Sequence, residues 1–432
     1  MRYTLLPIIF LFTLHISAQD NNTINWINDN LIKIENANPD SKLEIFDKSI
    51  PEKFANAKIF GFGEATHHGR EFFNIKAKFF KYLVRTQNVK TFIMEEAYPA
   101  ESGINEWISG GEGDVKTIMN NFSIRVWYTR EVLDLLKWMR NYNLSHTKEE
   151  PIRFYGMDIQ NGKNINQEIR DFIDKNKINI DENLLTIMDS CSNKTINNYK
   201  SEDWWQLQLP KLNKLKQQLL NSKIASNEYE SVIRAINYLI SYTEYSSYDK
   251  DEYPISTQFR DQKMFENVKW IVENESNNHK AFIWAHNEHI NNLGKYAYDS
   301  GLINLGAHLK FFYKSDYYSV YFDFGKGDLA GLVTRRNKPN YWDLYHVDKP
   351  FRNTYAQTLM KANENIYFVD MENALRGSAK QFFEDEKKQL LTPSNGYDPK
   401  HKSIIKKKYS KMFDGLIFVK NISLPNYDLD HR

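Results

Sequence analysis

Four segments of this 432-residue chain share one pattern, in which a short apolar run ends on acidic or imidazole side chains. They are AKIFGFGEATHH (57–68), KTFIMEEAY (90–98), IRFYGMDIQ (152–160) and KAFIWAHNEHI (280–290). Between the first three segments, apolar residues recur at helical spacing. Apolar strands that alternate with helices are typical of a parallel sheet covered on both faces. The sequence therefore predicts an α/β fold with a mostly parallel sheet flanked by helices.

The same pattern predicts where a site should form. Ligands of such sheets bind beyond the carboxyl ends of the strands. Each of the four segments carries its polar residues at that end. We therefore expect one edge of the sheet to hold Glu64, His67, Glu95, Glu96, Asp158, His286 and His289.

The spacing of Glu64 and His67 indicates acid–base chemistry. A carboxylate three residues away can orient an imidazole ring and stabilise its protonated form. A histidine held in this way can take a proton directly from water, with no covalent intermediate. Glu95 and Glu96 would add carboxylates to the same edge, an arrangement that is common in active sites.

Several familiar motifs are absent from the sequence. There is no Gly-x-Ser-x-Gly motif, so a nucleophilic serine of the α/β-hydrolase type is not supported. Neither His-Glu-x-x-His nor a Walker loop occurs. The Gly-Phe-Gly at 61–63 is followed by Glu64, where a pyrophosphate would have to approach, so no cofactor is predicted.

Two other classes of function remain open. The same histidines and glutamates could coordinate zinc or iron, although their spacing matches no familiar ligand motif. The chain would then be a metal- or haem-binding protein. It could also be an extracytoplasmic protein that binds a glycan or peptide without catalysis.

The first residues predict export. One arginine, an apolar run from Leu5 to Leu14 and a small residue at Ala18 match a signal peptide spanning residues 1–18. The mature domain would then comprise residues 19–432, in a secreted or periplasmic location. No cysteine stands directly after the cleavage point and no later apolar run reaches membrane-spanning length, so no membrane anchor is predicted.

Composition restricts the partners. Lys plus Arg number 57 and Asp plus Glu 55, and the net charge of +2 gives no sign of binding to nucleic acid or to a membrane surface. A small-molecule substrate is the predicted partner. The oligomeric state is not predicted.

Residues 161–250 interrupt the strand pattern with amphipathic helices. This segment is predicted to be a helical insertion that acts as a lid, with a packing role as the alternative. Three further strands are predicted within 317–328, 365–371 and 413–419. The basic stretch 385–412 is expected to be surface loop and helix.

Nine ordered motifs between residues 59 and 419 resemble the erythromycin esterase family. They are GEATHHGREFFNIKAKFFKYL, FIMEEAY, VWYTREVLDLLKWMRNYN, YGMDIQ, FRDQKMFENVKWI, FIWAHNEHI, NLGAHL, YFDFGKGDL and FDGLIFV. The resemblance implies hydrolysis of a macrolide lactone ring, without a serine nucleophile or a required metal. Hydrolysis of another ester by the same glutamates and histidines is the alternative. A distant similarity in fold to haem-binding and metalloprotease-like proteins keeps the metal alternative open.

The resemblance also implies roles for individual residues. The base would be His67, with Glu64 beside it, Glu95 as the strand-end glutamate, and His286 and His289 as the histidine pair. Lys76 occupies a basic position where some members have arginine, and His68 stands where many have glycine.

The expected mechanism follows from these roles. His67 would deprotonate water, Glu64 would stabilise the imidazolium, and His286 or His289, with Lys76 or a backbone N–H, would stabilise the oxyanion and protonate the alkoxide. Glu95, Glu96 and Asp158 would shape the electrostatic field. Trp127 and Glu131 are predicted to form a wall against a large apolar substrate.

Overall fold

The computed structural model describes residues 21–193, 200–222, 224, 228–249, 253–294, 301–392, 396–400 and 404–427. The predicted signal peptide, residues 1–18, lies outside this part of the chain. The chain divides into two compact units. The first unit comprises residues 1–89, 129–135 and 279–432, and the second comprises residues 90–128 and 136–278.

Strands and helices alternate through much of the chain. The strands are β1 (Ile32–Lys33), β2 (Ile59–Phe62), β3 (Thr91–Ala97), β4 (Arg153–Asp158), β5 (Ala281–Trp284), β6 (Tyr317–Val333), β7 (Tyr341–Val347), β8 (Ile366–Asp370), β9 (Lys387–Leu390), β10 (Ile404–Lys407) and β11 (Gly415–Ile422).

The helices fall between and after these strands. They are α1 (residues 21–30), α2 (Glu44–Lys48), α3 (Glu52–Asn56), α4 (Arg70–Gln87), α5 (Ile104–Ile108), α6 (Val115–Ile118), α7 (Arg130–Ser145), α8 (Ile165–Asn176), α9 (Glu182–Ser192), α10 (Glu202–Asn221), α11 (Tyr229–Ser246), α12 (Tyr253–Asn274), α13 (Asn287–Ile290), α14 (Leu305–Tyr313), α15 (Tyr355–Leu359), α16 (Met371–Arg376) and α17 (Lys380–Glu384). Short 3₁₀ helices span Tyr98–Glu101, Met119–Asn121, Arg125–Trp127, Lys314–Asp316 and Tyr409–Lys411.

The first unit is built on a mixed sheet with the strand order β1–β8–β11–β6–β2–β5. The central strands are parallel, because β2 pairs in parallel with β5 and β6, and β6 pairs in parallel with β11. Antiparallel pairing is confined to β8, which lies between β1 and β11, and to β7, which pairs with the second half of β6. All four residues of β2 and of β5 are buried, as expected for parallel strands covered on both faces.

Helix α4 follows the turn after β2 and packs aromatic residues against the sheet. Its Phe79 ring lies 5.1 Å from Phe62 of β2 and 4.9 Å from Phe46 of α2, measured between ring centroids. The helix ends at Asn88, which adopts the left-handed conformation with φ 55° that is common at helix C-termini. The apolar periodicity of α4 therefore marks the face that covers β2.

The second unit contains the parallel pair β3 and β4, and all seven residues of β3 are buried. The pairing register shifts between Met94 and Ala97, so that Glu95 and Glu96 lie in a bulge. Gly156 on β4 stands opposite, where a Cβ atom would lie 2.5 Å from the carbonyl oxygen of Ala97. The bulge thus requires glycine at this position, and bulges commonly redirect side chains near functional sites. The predicted α/β class, with mostly parallel strands flanked by helices, is confirmed.

The described parts of residues 161–250 are helical, and α8 to α11 share one apolar core. The hydroxyl of Tyr238 donates a hydrogen bond to the carbonyl of Gly156. Arg234 forms two hydrogen bonds, of 2.5 and 2.8 Å, with the carboxylate of Glu101. These helices therefore pack on β4 and its neighbours within the second unit, and the lid role stays a prediction.

One expectation about local structure is wrong. The basic stretch 385–412 contains β9 and β10, which form a two-stranded antiparallel sheet, instead of loop and helix alone. Lys407 and Gln389 on these strands are buried, because their polar groups meet polar partners inside the first unit. Within the described residues, no helix is both long and apolar enough to cross a membrane.

Candidate active site

The turn between β2 and α4 places Glu64 and His67 side by side. Nδ1 of His67 lies 2.6 Å from Oε1 of Glu64. The other carboxylate oxygen, Oε2, accepts a hydrogen bond from Nζ of Lys76 in the second turn of α4. Glu64 and Lys76 are completely buried, whereas His67 is 5% exposed. One carboxylate therefore links the histidine to a buried cation.

This geometry assigns the proton on the His67 ring. An ionised carboxylate only accepts hydrogen bonds, so Nδ1 of His67 is the donor to Glu64. In the neutral ring, Nε2 is then the nitrogen that can accept a proton. A histidine oriented by a carboxylate in this way has the arrangement required of a general base.

Lys76 is held by an aromatic ring as well as by Glu64. Its Nζ lies 4.0 Å from the ring centroid of Trp284, the last residue of β5. Cation–π contact favours the charged form of a desolvated ammonium group. Lys76 and Glu64 thus form a buried ion pair whose opposite charges balance.

His286 follows β5, and its ring centroid lies 4.9 Å from that of His67. Nδ1 of His286 accepts the backbone N–H of Glu288 at 3.2 Å. Its Nε2 lies 3.1 Å from the carbonyl oxygen of Thr392. Since a carbonyl only accepts, the neutral ring carries its proton on Nε2. The sheet therefore brings two histidines together. In their neutral forms, Nε2 of His67 is an acceptor and Nε2 of His286 is a donor.

Asn287 joins three strand ends through its backbone and side chain. Its amide side chain accepts from the backbone N–H of Phe322 at 3.0 Å and donates to the Phe322 carbonyl at 2.7 Å. Its backbone N–H donates to the carbonyl of Glu64 at 3.0 Å. A Cβ atom at Gly63 would lie 2.2 Å from Oδ1 of Asn287. Gly63 is therefore required by close approach, and Asn287 fixes the position of Glu64.

Glu288 is directed into the first unit and pairs with Lys407 on β10. The two charged groups lie 2.6 Å apart and both side chains are buried. The hydroxyl of Tyr321 lies 3.3 Å from the same carboxylate oxygen. His289 is 4% exposed, and its backbone N–H donates to the carbonyl of His286 at 3.0 Å. Glu288 therefore has a structural partner, although it lies between the two predicted site histidines.

In the second unit, Arg260 of α12 links two of the predicted site carboxylates. It makes hydrogen bonds of 2.8 and 2.6 Å to both oxygens of Asp158 and one of 3.0 Å to Glu95. Burial alone would lower the pKa of Arg260, but the carboxylates of Asp158 and Glu95 raise it well above its ordinary value. These two acids thus share one buried cation.

Glu96 has a different environment from Glu95. Its carboxyl oxygens accept from the backbone N–H groups of Ala97 and Ile124 and from the hydroxyl of Ser123, at 2.6 to 2.8 Å. Burial raises the pKa of Glu96 to about 8, although these donors favour the charged form. Glu96 therefore ties the segment at 123–124 to the end of β3.

The two residues predicted to form a substrate wall have mainly structural contacts. Trp127 is completely buried, and its indole N–H donates to the carbonyl of Glu95 at 3.2 Å. Glu131, in the first unit, accepts from the backbone N–H of Asn426 and lies 3.4 Å from Arg70. Burial raises the pKa of Glu131.

Each unit contains a group of predicted site residues that contact one another or share a partner. Glu64, His67, Lys76 and His286 are together in the first unit, whereas Glu95, Asp158 and Arg260 are together in the second. Arg260 was not predicted, although two carboxylates on buried strand ends indicate that a cation must neutralise them. Across the described ranges, no group of three or more His, Cys, Asp or Glu side chains is arranged to hold a metal ion.

Known proteins resemble the chain in sequence and in fold. Erythromycin esterase type II of Escherichia coli is 25% identical over 334 residues, which cover 71% of this chain and 78% of that protein. A crystal structure of a Bacillus cereus protein matches 94% of this chain and 99% of its own, with a TM-score of 0.80 and 21% identity. A mutant of the erythromycin esterase EreC in its open conformation matches 91% of this chain and 98% of its own, with a TM-score of 0.67 and 15% identity.

The sequence model described as erythromycin esterase matches residues 84–422. The matched segment contains Glu95, Asp158, His286 and His289, and it begins after Glu64 and His67. It spans most of both compact units. The chain belongs to the erythromycin esterase family.

Proposed function

We propose that this protein opens the lactone ring of a macrolide by hydrolysis, with His67 as the general base. Membership of the erythromycin esterase family supports a hydrolase that acts on esters. The observation that carries the mechanism is the 2.6 Å contact between Nδ1 of His67 and Glu64, because it makes Nε2 the proton acceptor.

The proposed step is direct attack by water. Nε2 of His67 removes a proton from water while the water oxygen forms a bond to the ester carbonyl carbon. The tetrahedral intermediate then collapses, the bond from that carbon to the ring oxygen breaks, and the proton passes to the leaving alkoxide. The product is a hydroxy acid, one water heavier than the lactone. General-base catalysis of this kind contributes about 10²–10⁴-fold.

Glu64 and Lys76 would prepare the base for this step. Glu64 accepts the hydrogen bond from Nδ1–H and stabilises the imidazolium that forms. Lys76 pairs with Glu64 where both side chains are completely buried, and so provides the opposite charge that a buried carboxylate needs. Because Lys76 is completely buried and bound to Glu64 and Trp284, we assign it to positioning and not to contact with the oxyanion.

His286 is the proposed donor to the oxyanion. Its ring is next to His67, and the Nε2–H of its neutral form, which donates to the Thr392 carbonyl in this structure, would exchange that acceptor for the oxyanion when substrate binds. A single oxyanion donor contributes about 10²–10³-fold. His289 remains a proposed substrate contact. Glu95 and Asp158, both bound to Arg260, are proposed to set the electrostatic field and not to transfer protons.

Metal independence and export are parts of the same proposal. Both oxygens of Glu64 already have cationic or N–H partners, which supports a proton-transfer role for this carboxylate over metal coordination. Export rests on the signal-peptide pattern of residues 1–18. A protein that acts outside the cytoplasm on macrolides would give its host resistance to them.

The test uses erythromycin as the first substrate, because the E. coli relative carries that name. The purified protein is incubated with erythromycin and related macrolides, and products are measured by mass spectrometry. We expect a product heavier by one water, and none from the His67→Ala variant. An unchanged mass for every macrolide would contradict the substrate, and a fully active His67→Ala variant would contradict the mechanism.

A further inference from the structure

His68, the neighbour of the proposed base, is buried with one ring nitrogen unsatisfied. His68 is 3% exposed. Its Nδ1 lies 2.8 Å from the hydroxyl of Tyr427. Its Nε2 has no hydrogen-bond partner among the described residues. Such orphaned polar atoms are rare in native proteins, because burial removes their hydration without replacing it.

The protonation state of His68 shows what its Nε2 would bind. Burial, and then the charge on His67, lower the pKa of His68 to about 3, so the ring is neutral near neutral pH. A neutral imidazole has one donor and one acceptor nitrogen. The Tyr427 hydroxyl can donate to or accept from Nδ1, and the tautomer in which it donates places the ring proton on Nε2. In that tautomer the unsatisfied atom is an N–H donor, which requires an acceptor oxygen.

An exposed apolar surface adjoins the His68 ring. The ring of Trp342 on β7 lies 4.8 Å from the His68 ring, between centroids, and Trp342 is 46% exposed. Leu344 is two residues further along β7 and is 67% exposed. Side chains two apart on a strand share one face, so Trp342 and Leu344 extend the same apolar surface. Tyr341 is on the other face, where its ring lies 4.8 Å from the guanidinium of Arg335.

We propose that the Nε2–H of His68 and the indole of Trp342 form a substrate subsite for a saturated ring that carries hydroxyl groups. An oxygen of the ligand would accept from Nε2, while the C–H face of the ring would cover the indole. Two parts of a macrolide have this chemistry, a sugar substituent and the macrolactone itself. The subsite rests on the proposed function, because His67, the adjacent residue, is the proposed base.

Two substitutions at His68 separate its nitrogens. The amide of His68→Asn reaches the position of Nδ1 and can still bond to Tyr427, but it leaves no group at Nε2. The longer His68→Gln places an N–H donor near Nε2. Trp342→Ala removes the indole from an exposed strand, so this variant should fold with nearly unchanged stability. Tyr341→Ala is the matched control, since it is adjacent, 44% exposed and on the opposite face.

Binding is measured by calorimetry in a His67→Ala background, so that no turnover occurs. The ligands are erythromycin and the corresponding sugar-free macrolactone. We expect His68→Asn and Trp342→Ala each to raise Kd by roughly threefold to tenfold, the size of one lost hydrogen bond or a small apolar contact. His68→Gln should restore the parent Kd, and Tyr341→Ala should leave it unchanged. An effect seen only with erythromycin assigns the subsite to the sugar, and an equal effect with both ligands assigns it to the macrolactone.

Equal Kd values in all variants, or no binding of either ligand by the parent, would overturn the subsite. The outcome is separate from that of the proposed function. Ring opening by the wild-type protein with unchanged Kd values would contradict the subsite alone. The expected Kd pattern without any ring opening would support the subsite and contradict the proposed hydrolysis.

Discussion

Glu64 binds His67 through one carboxylate oxygen and Lys76 through the other. The ammonium group of Lys76 therefore neutralises the carboxylate before the reaction begins. When His67 takes a proton from water, the three groups together gain one positive charge in a buried place. The mechanism thus depends on Glu64 for the orientation of the ring at least as much as for charge stabilisation.

The first prediction concerns this pair. His67→Ala should lower the rate of ester hydrolysis by about 10²–10⁴-fold, because the base is lost. Glu64→Gln should lower it less, since a differently oriented ring can still accept a proton. The double variant should be no slower than His67→Ala, because Glu64 acts through His67. Rates are measured on one macrolide, with a thermal melt of each variant as the control for folding.

The second prediction concerns stability. Lys76→Met leaves the Glu64 carboxylate buried without its cation, so we expect a loss of about 3–5 kcal/mol in the free energy of unfolding. Adding Glu64→Gln should recover part of that loss. Urea unfolding of the two single variants and the double variant measures the coupling.

Lys58→Met supplies the matched control for this cycle. Lys58 pairs with Asp316 at 2.8 Å, but its side chain is 49% exposed. Such pairs contribute about 0–1 kcal/mol. Comparable losses at Lys58 and Lys76 would show that burial of the Lys76 pair has no energetic consequence.

The sequence predicted the strands better than it predicted the partners of their polar ends. The apolar runs preceding Glu64, Glu95, Asp158 and His286 are strands, because burial on both faces leaves a strong local signal. The partners lie far away in the chain. Arg260 is 102 residues from Asp158, and no local pattern relates them. A buried charge predicts that a counter-ion exists, but not which residue provides it.

The third prediction is that Glu288 contributes to stability and not to catalysis, unlike the predicted site histidines on either side of it. Lys407→Met should destabilise the protein by about 3–5 kcal/mol, because Glu288 would keep a buried, unpaired charge. The specific activity of the folded fraction should change little, since Glu288 contacts His286 through its backbone N–H and not through the carboxylate that pairs with Lys407. Urea unfolding and the initial rate at low temperature measure the two effects. A large loss of kcat with normal stability would give Glu288 a catalytic role instead.

The fourth prediction concerns pH. The pKa of His68 is about 3 in the folded protein and 6.5 in its ordinary state. Between these values the unfolded chain binds more protons, so stability falls as the pH decreases, by up to about 1.4 kcal/mol per pH unit. His68→Gln should remove this part of the acid sensitivity. Urea unfolding of both proteins from neutral to acid pH measures it, and parallel curves would contradict the burial of a neutral His68.

The fifth prediction concerns metal ions. If Glu64 and His67 transfer protons without a metal, prolonged dialysis against EDTA should leave the rate of ring opening nearly unchanged. Metal analysis of the same samples provides the control. Activity that disappears with bound zinc or iron, and returns when the metal is added back, would favour metal-assisted hydrolysis.

The β9–β10 pair illustrates a second limit of the sequence. Lys407 and Gln389 are polar residues on short strands, and their composition is typical of surface segments. They are buried because Lys407 meets Glu288 and Gln389 meets the hydroxyl of Tyr321. His68 is a similar case, since nothing in Thr-His-His indicates which histidine meets Tyr427. The burial of Lys407 and Gln389 and the partner of His68 therefore depend on long-range polar contacts, which local sequence patterns do not predict.

The close approach of Gly63 and Asn287 has a consequence for laboratory evolution. Any side chain at position 63 would collide with the Asn287 amide, which joins β6 to Glu64. Variants at Gly63 or Asn287 should therefore fail to fold and be lost from a selected library. Trp342 and Leu344 are exposed on β7 and bear no comparable constraint. A mutational path towards a new ester would therefore change residues of β7, while the turn between β2 and α4 is inherited unchanged.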